Sequence, residues 1–278
     1  MRTLFKVLAF GCIAATLFTA CKKEDDPVAN RKIILKKYMI GETENFYEPI
    51  IYRFQHDYQH RLSLITATSE GYSIYGKIKY GIDDNDGFSI TYIDSPDYPS
   101  KTFSTYYFTP VEKGRIIAAD WDDRSNLLQY SMYYEYDSKG HLCKFTQKRD
   151  ELAEIYYFKW KNGELAKVYS EDKSIVYEYT PGDVKYAHAL PESAYPYFLP
   201  EPLMASLGYY GTAPKHFPKK MTITDKNAST IETHEYGYTV MSGLLVEYTD
   251  KKSVNALDGT TKGAVIPTYG KLEWLEVE

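Results

Sequence analysis

The feature that most constrains the fold of this chain is a strict alternation of side chains in residues 128–136. Every second residue there is a large apolar or aromatic one, from Leu128 to Tyr136. A period of two is typical of a β-strand, because successive side chains point to opposite faces. Asp137 and Gly140 then provide turn chemistry, since Asp accepts hydrogen bonds from the backbone ahead of it and Gly tolerates positive φ. We predict a β-hairpin whose return strand spans residues 141–147.

Units of the same design recur after this hairpin. An aromatic residue, a turn glycine and an aliphatic residue follow one another in three places: Tyr136/Gly140/Leu142, Trp160/Gly163/Leu165 and Tyr179/Gly182/Val184. Loose strand-turn-strand repeats at this spacing favour a meander of antiparallel strands over crossover helices. The predicted fold class is all-β, with one large antiparallel meander that closes into a soluble barrel or a strongly curved sheet.

Tyrosine is the unusual component of the composition, with 29 residues against 12 Phe and 3 Trp. Tyrosine packs as an aromatic ring but keeps one polar end that needs a hydrogen-bond partner. Its abundance therefore predicts a sheet with two half-wet faces, or a barrel with a hydrated interior.

A proline-rich insertion interrupts the strand pattern at residues 187–220. Six of the 13 prolines lie in it, and prolines at this density exclude a central strand. Residues 203–207 lie between Pro202 and Gly208, which predicts a short helix. A long insertion in a β domain usually has a function of its own or covers a site. We expect this one to cover a barrel mouth.

Four aromatic residues are candidate ligand contacts. Tyr197, Tyr209 and Tyr210 lie in the insertion, and Trp121 stands between the carboxylates of Asp120 and Asp122. An indole beside carboxylates can stack on a sugar and hydrogen-bond it, although a packing Trp at a strand end is the alternative.

The first 20 residues read as a secretory signal. Arg2 and Lys6 precede an apolar run at residues 7–18 that is short for a membrane span. The run ends Leu17-Phe-Thr-Ala-Cys21, which resembles a bacterial lipobox, so we predict cleavage before Cys21 and acylation of its thiol. More than one acyl chain makes a stable membrane anchor. The alternative is an ordinary secretory signal with an incidental cysteine.

Residues 21–30 are predicted to be a flexible, charged tether that precedes a single antiparallel β domain at 31–278. The run Lys22-Lys-Glu-Asp-Asp-Pro27 resembles the signal that sends Bacteroidota lipoproteins to the outer face of the outer membrane. We therefore expect a lipid-anchored outer-membrane protein displayed at the cell surface, with the periplasmic leaflet as the alternative. The predicted membrane contact is the lipid on Cys21.

Several classes of function find no support in the sequence. The net charge is −5 and no basic block is present, so nucleic acid is not an expected partner. Phosphate loops and dinucleotide fingerprints are absent, and His234 lacks the second histidine of a zincin helix. No catalytic residue, metal ligand or cofactor is predicted. Cys143, which remains after Cys12 is cleaved off and Cys21 acylated, is expected to be a small buried residue.

Several phrases together resemble one known family. They are Leu207-Gly-Tyr-Tyr-Gly211, Lys215-His-Phe-Pro-Lys-Lys-Met221, the hairpin phrase at 134–142 and the lipobox. They resemble a family of lipoproteins from gut Bacteroidota catalogued as a domain of unknown function with a porin-like fold. The resemblance implies an antiparallel barrel or strongly curved sheet over residues 30–278, and it brings no catalytic residues. Charged side chains on both strand faces argue against a lipid-facing apolar band.

Three hypotheses for function remain open. The first is a non-enzymatic extracellular binding module for a glycan, peptide or small amphiphile. The second is a structural or accessory subunit of a cell-envelope complex, and the third is a hydrolase with an unrecognised site. An open, tyrosine-lined cavity beneath residues 187–220 would favour the binding module. A filled interior with an exposed aromatic patch would favour the structural or accessory subunit.

Overall fold

The computed structural model describes residues 32–42, 48–59, 61–81, 87–97, 101–108, 111–112, 115–124, 128–179, 209–242, 244–259 and 267–277, together with Ala194, Pro196, Leu199 and Val265. The predicted signal, tether and short helix at 203–207 lie outside these residues.

The described residues form strands joined by turns and loops. The strands are β1 (Lys32–Gly41), β2 (Ile50–His56), β3 (Leu62–Ser69), β4 (Tyr72–Tyr80), β5 (Phe88–Ile93), β6 (Thr102–Phe108), β7 (Val111–Glu112), β8 (Arg115–Ile116), β9 (Ala118–Asp123), β10 (Leu128–Tyr136), β11 (Leu142–Arg149), β12 (Leu152–Lys161), β13 (Glu164–Tyr169), β14 (Lys173–Glu178), β15 (Lys220–Asp225), β16 (Thr230–Met241), β17 (Leu244–Ala256) and β18 (Pro267–Val277).

Sixteen of these strands form one closed antiparallel barrel. Each pairs with its neighbours in chain order, with β6 next to β9, and β7 and β8 make a separate two-stranded ribbon. The barrel closes where β1 pairs with β18, from Lys32 opposite Val277 to Gly41 opposite Tyr269. The all-β prediction is confirmed, and of the two architectures considered, the closed barrel is the one observed.

The interior of the barrel is packed with side chains. Tyr38, Ile65, Ile90, Phe145 and Leu245 point inward from strands around the circumference, and each is at most 1% exposed. Sixteen-stranded membrane porins instead enclose an aqueous channel. The expectation of a hydrated interior is therefore wrong, because the inward tyrosines are buried among other apolar residues.

The outer face of the barrel is polar and charged. Ion pairs bridge neighbouring strands there: Lys37–Glu273 (3.0 Å), Lys144–Glu135 (2.6 Å), Lys220–Glu178 (3.6 Å) and Lys271–Glu247 (3.6 Å). A charged residue on the lipid-facing surface of a membrane barrel costs about 2–4 kcal/mol at the bilayer midplane. The described outer wall thus has the polarity of a surface that faces water, which agrees with the charge pattern of the sequence.

A ring of hydrogen-bonded aromatic residues, here called the aromatic girdle, closes one end of the barrel. Each member lies near the end of an even-numbered strand and donates to a backbone carbonyl near the start of the preceding strand of its hairpin. The pairs are Tyr80 to Leu62, Tyr136 to Ile116, Trp160 to Leu142, Tyr179 to Leu165, Tyr238 to Pro218 and Trp274 to Leu245, at 2.7–3.2 Å. Burial raises the pKa of Tyr80, Tyr136 and Tyr179, so these hydroxyls remain protonated donors.

The girdle explains the repeats seen in the sequence. A β-bulge follows the accepting leucine in four hairpins, where Ser63, Cys143, Ala166 and Val246 are the extra residues. A bulge interrupts the ladder locally, which leaves the leucine carbonyl to the aromatic donor. Leu142 and Leu165, the aliphatic members of two repeat units, thus bind the aromatic residue of the following unit.

Cys143 is the extra residue of one of these β-bulges. It is half-exposed rather than buried, which corrects the sequence expectation. Its Sγ donates to the carbonyl of Glu135 (3.2 Å), as the hydroxyl of Ser63 does to that of Gln55 (3.1 Å). Partial burial and the nearby Glu135 carboxylate raise the pKa of the Cys143 thiol, which disfavours the thiolate that a nucleophile requires.

Candidate functional site

Residues 209–218, here called the strap, run across the girdle end of the barrel. The Tyr209 carbonyl accepts hydrogen bonds from the Ile116 amide (3.0 Å) and the Tyr136 hydroxyl (3.1 Å). At its other end, Phe217 stacks on Tyr238 with ring centroids 4.9 Å apart. The described part of the insertion therefore covers a barrel mouth, as its proline content suggested.

Main-chain contacts tie the strap to two hairpin turns. The Thr212 amide donates to the Gly140 carbonyl (2.9 Å), and the Lys215 amide donates to Glu164 Oε2 (3.1 Å). Gly211 has a φ of +83°, and a Cβ at this position would overlap the Gly140 carbonyl oxygen. These contacts fix residues 211–215 against the turns that follow β10 and β12.

The two described aromatic candidates of the insertion pack inward. Tyr209 lies against Phe88 with ring centroids 4.8 Å apart, and Tyr210 stacks on Tyr134 at 5.4 Å. Tyr210 is only 6% exposed. These rings therefore fill the mouth of the barrel, and Tyr197 lies outside the described residues.

A small apolar cavity remains beneath the strap. Tyr210, Leu142, Phe158 and Tyr177 are among the side chains that line it, and its volume is about 60 Å³. Pockets for small organic ligands usually measure about 300–1,000 Å³. This cavity is too small for a sugar ring or an amphiphile, so the described interior offers no such ligand a site under the strap.

Trp121 is packed between two tyrosines. Its ring lies 5.6 Å from that of Tyr106 on one side and 5.0 Å from that of Tyr130 on the other, both nearly parallel. Both faces of the indole are thus covered, and an open groove of about 460 Å³ that Asp120 and Asp122 line lies at this part of the barrel. The structure gives Trp121 a packing role at the position where the sequence suggested a sugar platform.

An ionic cluster on β16 and β17 has a buried centre, His234 and Asp250, and a solvent-exposed end at Lys252. His234 Nδ1 is 2.8 Å from Asp250 Oδ2, and its Nε2 is 2.7 Å from Glu232 Oε1. Lys252 Nζ pairs with the second oxygen of Glu232 at 2.7 Å. His234 and Asp250 are 5% and 3% exposed. Sequence reasoning missed this cluster, because Asp250 reaches His234 only through the register of two strands.

The cluster is built to hold a charged imidazole. Burial alone would lower the pKa of His234, but the hydrogen bonds and charges of Asp250 and Glu232 outweigh it and raise the pKa. The pKa of Glu232 falls to about 2, because the contacts with His234 and Lys252 outweigh its burial. Both ring nitrogens of His234 are occupied by carboxylates, so neither is free to act on a substrate.

The outer faces of β10–β13 form a surface of tyrosines and lysines, here called the tyrosine–lysine wall. Its aromatic members are Tyr133 and Tyr157, which are 44% and 42% exposed, and Tyr169. An open groove of about 930 Å³, lined in part by Tyr133 and Lys148, lies at its β10–β11 side. The alternation that placed Tyr134 inside also placed Tyr133 outside, so the sequence contained the signal for this surface.

Solved structures of other proteins share the overall architecture of this barrel. A porin-like protein from Bacteroides uniformis superposes with a TM-score of 0.58 and 11% identity, over 87% of this chain and 96% of that one. The chain has a porin-like fold. A second porin-like protein, from Bacteroides vulgatus, matches with a TM-score of 0.40 and 10% identity, over 86% of this chain and 97% of that one.

Sequence comparisons give no further assignment. No family model matches the chain, and no curated protein matches it. The similarity to the Bacteroides uniformis structure therefore establishes the fold alone. Within the described residues, no helix is long and apolar enough to cross a membrane.

The raised pKa of His234 makes a prediction about stability. The imidazolium contributes to stability below the unfolded pKa of 6.5, and the contribution is lost as pH rises through the higher folded pKa. We expect His234→Gln to lower the free energy of unfolding most at pH 5–6, with a difference from the wild type that shrinks above pH 6.5. Urea unfolding at pH 5, 6, 7, 8 and 9 measures it. A difference that stayed constant over this range would contradict the charged state assigned to His234.

Proposed function

We propose that this protein is a non-enzymatic binding module of the cell envelope, anchored by lipid at Cys21, which engages its ligand through the outer wall of the barrel. The observation that carries the proposal is the outer face of the barrel, where exposed aromatic rings stand among charged side chains. The known route of a porin, through the lumen, finds no space among these packed side chains.

The anchor rests on the sequence, and the barrel geometry is compatible with it. β1 begins at Lys32, at the girdle end of the barrel, so the chain that leads back to Cys21 leaves from the strap side. Ten residues lie between Cys21 and Lys32, and a chain covers at most about 3.3–3.6 Å per residue. Such a tether keeps the barrel within a few tens of ångströms of a membrane surface and leaves the wall accessible.

A second candidate function is an accessory subunit of an envelope complex. It is favoured by the same filled interior and exposed aromatic rings, because a partner protein would also dock on the outer wall. The two candidates differ in the occupant of the wall: a small or polymeric ligand in the first, and a folded partner in the second.

Replacement of Cys21 tests the anchor. We expect the wild type to incorporate labelled palmitate and to sediment with membranes, and Cys21→Ala to do neither, because the acylated thiol is lost. A second version, residues 22–278 behind a non-lipoprotein secretory signal, controls for retention by an uncleaved signal. Sedimentation of this version with membranes would show that lipid on Cys21 is not the anchor.

A thermal-shift panel tests ligand binding by residues 22–278, which contain both members of every strand pair in the barrel. The panel comprises neutral glycans, acidic glycans, peptides and amphiphiles. A ligand at about 100 times its Kd stabilises the folded state by about 2.7 kcal/mol, which raises Tm by roughly 5–10 °C in a domain of this size. The absence of a shift with every class would contradict the binding function and favour the accessory subunit.

A further inference from the structure

The tyrosine–lysine wall has a regular arrangement that strand pairing creates. Glu135 lies opposite Lys144, Lys144 opposite Tyr157, and Tyr157 opposite Tyr169. Directly paired residues share one face of a sheet, so these side chains stand side by side across four strands. They alternate with the buried side chains Tyr134, Phe145, Tyr156, Phe158 and Val168, which fix the wall from behind.

The aromatic rings of the wall are partly exposed. Tyr157 and Tyr169 stack on each other with ring centroids 5.5 Å apart and an interplanar angle of 30°. Tyr133 is on β10, two strands from β12, which corresponds to a separation of about 10 Å. The wall therefore offers ring surface in two places, with ionic side chains between them.

The lysines of the wall lie against these rings. Lys148 Nζ is 5.3 Å from the ring centroid of Tyr133, and Lys159 and Lys167 are 5.0 and 5.6 Å from that of Tyr169. An ammonium group near an aromatic face gains only about 0.5–1 kcal/mol at exposed sites. Such a lysine retains most of its capacity to bind an anion.

The wall is a local excess of positive charge on an acidic chain. Five lysines (Lys144, Lys148, Lys159, Lys161 and Lys167) face outward on β11–β13. The acidic residues beside them are Glu135, which is paired with Lys144, and Glu164, which is paired with His216. The whole chain carries a net charge of −5. On the other side of Tyr133, Asp120 and Asp122 border the adjoining groove. The lysines attract an anion to the β11–β13 side of the wall, and the two aspartates repel it from the other side.

The chemistry of the wall fits an acidic polysaccharide better than a folded protein. Cores of protein interfaces are depleted in Lys and enriched in Arg and closely packed apolar side chains, whereas here lysines separate the rings. The apolar face of a sugar can stack on a tyrosine, and a point-like ammonium binds a carboxylate or sulfate. We propose that the tyrosine–lysine wall binds an anionic glycan, with sugar faces on Tyr133 and Tyr157 and acidic groups on Lys148, Lys159 and Lys167. This inference rests on the proposed function.

Strand β4 provides a matched control within the same barrel. It presents Tyr75, Lys77 and Lys79 outward, as β12 presents Tyr157 and Lys159. The neighbours of these β4 residues across the ladders are Leu64, Thr66, Ser89 and Thr91, with Ile93. The β4 surface therefore has the same residue types without the stacked rings and clustered lysines.

The test measures binding of defined polymers to residues 22–278. The probes are polygalacturonate as a carboxylated glycan, heparin as a sulfated glycan, dextran as a neutral glycan and polyglutamate as an acidic polymer without sugars. We expect one or both acidic glycans to bind, with an affinity that falls as salt is added, and dextran and polyglutamate to bind at least about tenfold more weakly.

Variants locate the binding on the wall. We expect Lys159→Gln/Lys167→Gln and, separately, Tyr157→Leu each to weaken binding of the acidic glycan by about tenfold. The matched changes Lys77→Gln/Lys79→Gln and Tyr75→Leu should leave it unchanged, and equal Tm values show that all four variants are folded.

Three outcomes would overturn the inference: equal losses on β4 and on the wall, equal affinity for polyglutamate and the acidic glycans, or no binding of either acidic glycan. If a neutral glycan, peptide or amphiphile in the wider panel binds while the acidic glycans do not, the anionic-glycan inference fails and the proposed binding function stands. If no class binds, both fail.

Discussion

The structure depends on one hydrogen bond that is repeated around an end of the barrel. An aromatic residue at the end of one strand donates to the backbone carbonyl at the start of its partner strand, as Trp160 does to Leu142. In four hairpins a β-bulge next to the accepting leucine removes that carbonyl from the ladder. A buried carbonyl without a hydrogen-bond partner lowers the free energy of unfolding by about 1–3 kcal/mol. The carbonyl that the bulge frees therefore needs the aromatic residue as its donor. The same residue thus caps the ladder and fills the interior.

This interaction accounts for four of the tyrosines and for the aromatic residues that line the mouth of the barrel. Tyrosine and tryptophan combine a large apolar body with one donor, which is what a barrel end needs when its strands finish in bulges. With the girdle in place, Tyr209 and Tyr210 of the strap pack against inward rings and leave only a small cavity. The described interior at that end therefore has little free space, and tyrosines and lysines are exposed on the outer wall.

Local features of this fold could be predicted from sequence, and features set by register could not. The alternation at residues 128–136 and the turn at Asp137 and Gly140 predicted the hairpin, because both depend on neighbouring residues alone. Closure of the barrel depends on Lys32 reaching Val277, and the ionic cluster on Asp250 reaching His234. Such pairings between separate strands produce no sequence motif with a fixed spacing. The hydrated interior was wrong because the tyrosine count predicts a need for hydrogen bonds but does not tell whether water or backbone supplies them.

The same limit applied to the candidate site. Trp121 and Tyr210 are aromatic residues in polar or proline-rich surroundings, which suggested ligand contacts, but rings from neighbouring strands cover them. Tyr133 and Tyr157 stand in ordinary strand patterns, and their importance comes from lysines on adjacent strands. Residue type alone cannot distinguish these two cases. Alternation along each strand assigns a side chain to the inner or the outer face. Together with the order of the strands, this assignment would have distinguished the covered rings from the exposed ones.

The measurement that tests this account most directly is the stability of girdle tyrosines changed to phenylalanine. Tyr80→Phe, Tyr179→Phe and Tyr238→Phe each remove one hydroxyl and leave a buried carbonyl without its donor. Urea unfolding should show a loss of about 1–2 kcal/mol for each, nearly additive in the triple variant. Tyr58→Phe and Tyr107→Phe, at exposed positions, should change stability by less than about 0.5 kcal/mol. Equal effects at girdle and exposed positions would contradict the account.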